Sequence, residues 1–116
     1  MACAKLQEYL DSHQVKYVSI KHSPAFTAQE LAASAHIPGK DVAKTVVVKI
    51  DGEMALVVLP APNMVRINHL KEATGAQEVG LASEEEFKSR FPDCEAGAMP
   101  PFGNLYRMPV YVDRSL

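Results

Sequence analysis

The sequence predicts an α+β protein folded as one domain. Three observations carry that expectation. Its 116 residues suffice for one hydrophobic core. Helical and strand patterns interleave along the chain, with no linker, internal repeat or low-complexity stretch between them. Two apolar runs, 43–50 and 54–60, flank Asp51-Gly52, a favoured type I′ hairpin pair.

Each element has its own signal. Residues 4–13 place Leu6, Tyr9, Leu10 and His13 at three- and four-residue spacing, which predicts a helix. Residues 15–20 alternate and predict a short strand. His22-Ser23-Pro24-Ala25-Phe26 is a loop, because proline biases its predecessor away from helix. Thr27 and Glu30 then match a capping box, opening a helix to about His36 that Pro38-Gly39 ends. The two-residue turn sets a hairpin register in which Lys44 lies opposite Leu59. The second hairpin run does not alternate, as expected of a strand covered on both faces. Pro60 and Pro62 close the hairpin. Residues 67–74 predict a short helix with Gly75 just beyond its end. A brief strand follows near residues 77–79. Ser83 and Glu86 form a second capping box, and its helix carries Phe87 and Phe91 until Pro92 stops it. Residues 97–103 make a loop stiffened by two prolines, and residues 110–112 a last strand.

The totals narrow the function classes. The apolar share of 47% is that of a globular protein, and no run of eighteen apolar residues offers a membrane span. The first residues lack the layout of a signal peptide, and Cys3 and Cys94 give no disulfide framework, which together favour the cytoplasm. A net charge of −2 excludes coating nucleic acid by bulk charge, so any such contact must be local. His13, His22, His36 and His69 lack ligand-type spacing, and neither a dinucleotide-binding fingerprint nor a phosphate-binding loop is present. No metal or cofactor is expected. Cys3 and Cys94 read as ordinary thiols, without an activating neighbour.

Lys44 is the residue that breaks the pattern. Strand alternation points it the same way as Val46, Val48 and Ile50, an apolar face. Lysine is almost never fully buried alone, so its ammonium snorkels to water, meets an anion, or lines a cavity. In the last case it can bind a phosphate or polarise a carbonyl. The loop Gly97-Ala98-Met99-Pro100-Pro101-Phe102-Gly103 is the second candidate. It is either a stiff turn or a device holding backbone N–H groups toward one point. His22 reads as a surface or packed loop residue, and Phe26 as a staple for the helix behind it.

Taken together, three segments resemble the YbaK/ProX family of aminoacyl-tRNA deacylases, whose domain is also inserted in bacterial prolyl-tRNA synthetases. They are His22-Ser23-Pro24-Ala25-Phe26, then Val42-Ala43-Lys44-Thr45, where the family has Lys-Thr, then the 97–103 loop, which fits its GxxxP pattern at Gly97 and Pro101. The resemblance implies a mixed, strongly curved, barrel-like sheet with helices around it. It implies hydrolysis of the ester between a wrong small amino acid and the 3′ end of a tRNA, with tRNA-Pro the foremost candidate. The aminoacyl-tRNA acceptor end and an aminoacyl-tRNA synthetase are the implied partners. It assigns Lys44 and Gly97 the catalytic roles, Lys44 as a cation anchoring substrate rather than a general base. His22, Phe26, Thr45, Pro101, Phe102 and Gly103 would bind substrate. Family members usually continue some tens of residues past the strand matching 109–113, so the resemblance also implies a domain over residues 1–116 without the family's C-terminal segment. A non-catalytic tRNA- or synthetase-binding module with the same fold is the alternative.

Overall fold

The hairpin organises the molecule. In the computed structural model, which describes residues 4–17, 37–92 and 99–116, strand β1 (Ala43–Ile50) pairs antiparallel with β2 (Glu53–Pro60). Asp51 and Gly52 take φ values of 48° and 85°, both positive as a type I′ turn requires. The register follows from that turn, and Lys44 stands opposite Leu59.

Two further strands flank the pair. β3 (Val79–Leu81) runs antiparallel to β1, and β4 (Val110–Val112) runs parallel to β2. The order is β3-β1-β2-β4, so the sheet is mixed, as expected. Among the described residues it does not close into a barrel, because β3 and β4 lie at opposite edges. β2 is central, and it is buried from Ala55 to Pro60, which explains its unbroken apolar run. β3 begins two residues beyond the sequence expectation. The Asp51 carboxylate accepts hydrogen bonds from the backbone N–H groups of Gln77 (3.0 Å) and Glu78 (2.8 Å), and the ladder starts only after them.

Helices cover both faces. Helix α1 (Ala4–Ser12) buries no residue completely and leans on the rest through Tyr9, whose ring lies 5.5 Å from that of Phe102. The strand expected at residues 15–20 does not form over Val15, Lys16 and Tyr17, which are exposed. A turn at Gln14, with φ 55°, sends them back along α1, where the Tyr17 hydroxyl donates to Asp11. Residues 18–20, the His22 to Phe26 loop and the helix after Thr27 lie outside the described residues.

Helix α2 (Ile67–Thr74) ends at Gly75, whose φ of 70° and N–H bond to the Lys71 carbonyl make a left-handed cap. Helix α3 (Glu84–Phe87) opens with the expected capping box. Ser83 Oγ accepts from Glu86 N–H, and Glu86 Oε1 accepts from Ser83 N–H. The α-helix then tightens into a 3₁₀ turn over Lys88–Arg90, short of the Phe91 that the spacing suggested. Pro92 disfavours helical geometry for Phe91, which turns into the core, its ring edge-on to Phe87 at 6.4 Å.

The sheet divides the core in two. On one face Val48, Ala55, Val57 and Leu59 pack with Leu70 of α2. On the other, Val47 and Leu56 pack with Phe91, Met99, Tyr106 and Met108. The division follows the two-residue period of β1 and β2, so each strand residue belongs to one core by its parity. A surface ion pair, Lys49 Nζ to Glu86 Oε2 at 2.6 Å, ties β1 to α3.

Candidate functional site

Parity decides where each candidate residue sits. Lys44 is the second residue of β1 and shares its face with Val46, Val48 and Ile50. Its cross-strand partner Leu59 is 2% exposed, so the lysine stem has an apolar wall beside it. Lys44 itself is half-buried, and among the described residues its ammonium makes no hydrogen bond or ion pair. Of the three arrangements open to it, pairing with an anion from the described part of the chain is not seen.

The proline-stiffened loop approaches the other face. Met99 packs with Val47 and Leu56, and Pro100 beside it is buried. Thr45 shares the parity of Val47, so Thr45, not Lys44, stands on the sheet face that Met99 covers. Pro101 is exposed, and Phe102 packs its ring toward Tyr9 of α1. Gly103 starts a 3₁₀ turn (Gly103–Leu105) and has a structural reason to be glycine. A Cβ there would clash with the Met108 carbonyl oxygen and come within 2.5 Å of Val110 Cγ2. Its own carbonyl accepts from Tyr106 N–H at 2.9 Å and Met108 N–H at 3.0 Å. His22, Phe26 and Gly97 lie outside the described residues.

A feature that sequence reasoning missed lies on the Lys44 face. A groove of about 1290 Å³ lies between α2 and β4, with residues 62–66 and 113–115 also lining it. Its apolar lining includes Val57, Leu59 and Leu70, with Tyr111 from β4. Arg66, His69 and Arg114 bring cationic or ionisable side chains to it. Asp113 is the single carboxylate lining it among the described residues. Hydrogen bonds from Ser115 Oγ at 2.6 Å and Ser115 N–H at 2.8 Å hold that carboxyl below the usual range, with Arg66 adding to the effect. Leu59 belongs to the groove and stands opposite Lys44 across the ladder, while Lys44 itself is not among the residues that line it. Nothing local in the sequence signals this groove. Its walls are brought together by the parallel pairing of β4 with β2, across some fifty residues of chain.

Among the described residues no cluster of three or more His, Cys, Asp or Glu is placed to hold a metal ion. No helix among them is long and apolar enough to cross a membrane.

Known proteins share parts of this sequence and this fold. Proline--tRNA ligase of Bacillus mycoides (strain KBAB4) is 28% identical over 88 residues, and that of Bacillus cytotoxicus is 31% identical over 88 residues. Each alignment covers 76% of this chain and 15% of the ligase, so the chain corresponds to a small part of those proteins. A solved structure described as a proposed trans-editing enzyme for prolyl tRNA synthetase superposes with a TM-score of 0.72 at 20% identity. It is matched over 94% of this chain and 69% of its own, and it shares the fold. The aminoacyl-tRNA editing domain matches residues 22–116, which includes the hairpin with Lys44, the proline-stiffened loop and β4. On that match, over most of its length, this chain belongs to the aminoacyl-tRNA editing domain family.

Proposed function

We propose that the protein is a cytoplasmic trans-editing deacylase that hydrolyses the ester of a small, wrongly attached amino acid on tRNA, with tRNA-Pro the first substrate to try. The observation that carries this reading is Lys44. It is a half-buried cation on an apolar strand face, without an anionic partner among the described residues, in a chain of the editing family. An aminoacyl ester is already activated, so the reaction needs little from the protein. Water attacks the ester carbonyl carbon, charge builds on the carbonyl oxygen, and the bond to the ribose oxygen breaks as that oxygen takes up a proton. The Lys44 ammonium suits either the developing oxyanion or a phosphate of the terminal nucleotide. One such donor is worth about 100- to 1000-fold in rate. The similarity to proline--tRNA ligases supports a prolyl system and a synthetase as a working partner.

The test is hydrolysis of a panel of mischarged tRNAs by the native protein and by Lys44→Ala. The expected result is turnover of at least one alanyl-, seryl-, cysteinyl- or threonyl-tRNA, reduced about 100-fold in the variant. Equal rates for the two proteins would remove Lys44 from the mechanism.

A second reading has one observation in its favour. Lys44 and Met99 belong to opposite faces of the sheet, so the cation and this part of the loop do not share a core. A module that binds tRNA or a synthetase without hydrolysis accommodates that separation. Multiple turnover above the background rate excludes it; tight tRNA binding with no turnover on any member of the panel establishes it.

A further inference from the structure

We infer that Asp51-Gly52 is a site of spontaneous covalent modification, isomerising through a cyclic imide to isoaspartate, and that the backbone amides of Gln77 and Glu78 guard it. Neither the site nor its test depends on the deacylase reading. The reaction needs only water. The Gly52 amide nitrogen attacks the side-chain carboxyl carbon of Asp51, and an N–C bond forms. The carboxyl hydroxyl leaves with the amide proton as water. Water then adds to one of the two imide carbonyls, and the bond from that carbon to nitrogen breaks. Opening at the side-chain carbonyl restores Asp51. Opening at the main-chain carbonyl leaves isoaspartate, with the chain running through the former side chain. Nothing is oxidised or reduced.

Three features place the reaction at this pair. It is the only Asp-Gly or Asn-Gly in the sequence, and glycine has no side chain to crowd the closing ring. Both residues are exposed, and nothing lies within 4 Å of where a Gly52 Cβ would stand, so water reaches the turn. The Gly52 N–H makes no hydrogen bond among the described residues, so the attacking nitrogen is not engaged. The carboxyl, by contrast, is engaged. Asp51 Oδ1 accepts from Gln77 N–H at 3.0 Å and from Glu78 N–H at 2.8 Å. Asp51 N–H also donates to the Glu78 carbonyl at 2.8 Å. Ring closure swings the carboxyl onto the Gly52 nitrogen and withdraws Oδ1 from both amides. The fold therefore holds the reactive pair apart. Once isomerised, the turn cannot be restored, because the main chain is longer by one methylene. That turn sets the register that puts Lys44 opposite Leu59. β3 meets β1 only through Val48–Leu81, Lys49–Gly80 and Ile50–Val79, so loss of the Asp51 acceptor frees its start.

The experiment is incubation of the full chain in heavy-oxygen water at neutral pH, in buffer and in urea. Mass spectrometry of the peptide holding Asp51 reads the label. Each passage through the imide leaves one heavy oxygen in the residue, whichever way the ring opens. Enzymatic methylation of the new α-carboxylate counts isoaspartate separately. Asp51→Ser, which cannot form the imide, sets the background. The unfolded chain is expected to label about 5–30-fold faster than the folded one, the factor carried by two lost hydrogen bonds. Gln77→Pro deletes one of the two donors, and its folded form is expected to label about five-fold faster than the native chain. Thermal melts check that this variant folds, and the comparison of native with unfolded chain does not depend on it. In the isomerised protein, hydrogen exchange should quicken over residues 77–81 and stay slow across the β1–β2 ladder. No label at Asp51 in the unfolded chain overturns the site. Equal labelling with and without urea overturns the guard, as does a folded Gln77→Pro that labels at the native rate. Unchanged exchange over residues 77–81 would refute the tie between Asp51 and β3.

Discussion

Gly103 gives the sharpest test of how this fold is held, because its neighbours leave no room for a side chain. A methyl group at Gly103→Ala would overlap the Met108 carbonyl oxygen, lie 2.5 Å from Val110 Cγ2 and lie 3.2 Å from the Met108 carbonyl carbon. Two of these three neighbours are backbone atoms, so no rotamer change relieves the overlap. Relief requires the 103–108 turn to open or β4 to move. Opening the turn breaks the two hydrogen bonds that the Gly103 carbonyl accepts from Tyr106 and Met108, about 1 kcal/mol each. It also lifts Met108, now 5% exposed, from its core, at about 1.5–3 kcal/mol for a complete loss of burial. Keeping the turn and bearing the overlap costs about 1–3 kcal/mol, as for overpacking elsewhere. Bearing the overlap is the cheaper route and sets the cost, about 1–3 kcal/mol of destabilisation. With an m-value near 2 kcal/mol/M, the urea midpoint should fall by about 0.5–1.5 M. The double variant Gly103→Ala/Val110→Ala should recover only part of the loss, because the Met108 carbonyl remains in the way. A Gly103→Ala protein whose midpoint lies within about 0.3 M of the native value would refute the packing argument. It would leave Gly103 with the substrate-binding role that the family resemblance implied.

Two further outcomes follow from the surface contacts. The Glu86 carboxyl is held down to about 2 by its hydrogen bond from Lys49, with the Ser83 backbone and side chain adding to it. A carboxyl depressed in the folded state contributes stability that is present above its ordinary value of 4.5 and is lost as pH falls toward 2. Urea midpoints should therefore drop across that window, and Glu86→Gln should flatten the drop; identical pH profiles would show that the pair does nothing for folding. Phe102→Ala removes the ring 5.5 Å from Tyr9 and should loosen the packing of α1 by about 0.5–1.5 kcal/mol. Hydrogen exchange should then quicken in Ala4–Ser12 while Ala43–Pro60 stays protected, and no change in α1 would mean that other contacts hold the helix.

What the sequence makes legible is what neighbours in the chain decide. Asp51-Gly52 dictates a two-residue turn, and the turn dictates the register, so Lys44 opposite Leu59 can be read from the sequence alone. Ser83 with Glu86, and Gly75 after Thr74, are equally local, and both helix ends form where these residues stand. The misplaced features depend on partners far away. β3 starts late because Asp51, more than twenty residues upstream, captures the N–H groups of Gln77 and Glu78. Residues 15–17 alternate like a strand, yet Tyr17 bonds back to Asp11 instead. The parallel partner of β2 is β4, and no periodicity announces a pairing across fifty residues. The groove exists only because of that pairing, so the sequence could name its cations without bringing them together.

Lys44 is legible in one respect and not in another. Its position on an apolar face is a matter of parity, which the sequence displays directly. Which core that face belongs to is not, because both faces of β2 are buried. The structure answers by packing Leu70 of α2 on the Lys44 side and Met99 on the Thr45 side. A pocket built from Lys44 together with the 97–103 loop would therefore have to form around the end of β1, where Ala43 pairs with Pro60 and the sheet offers an edge rather than a face. Thr45 is the residue that distinguishes the arrangements. If substrate enters on the Met99 face, Thr45→Val should impair deacylation, while the Arg66→Gln/Arg114→Gln double variant, altered in the groove, leaves it unchanged. If substrate comes along the groove and reaches Lys44 from the α2 side, the order reverses. The groove arginines then lower KM, so replacing them raises it, and Thr45→Val, with its side chain turned away, is silent. The two variants measured side by side on one mischarged tRNA assign the reacting face of the sheet.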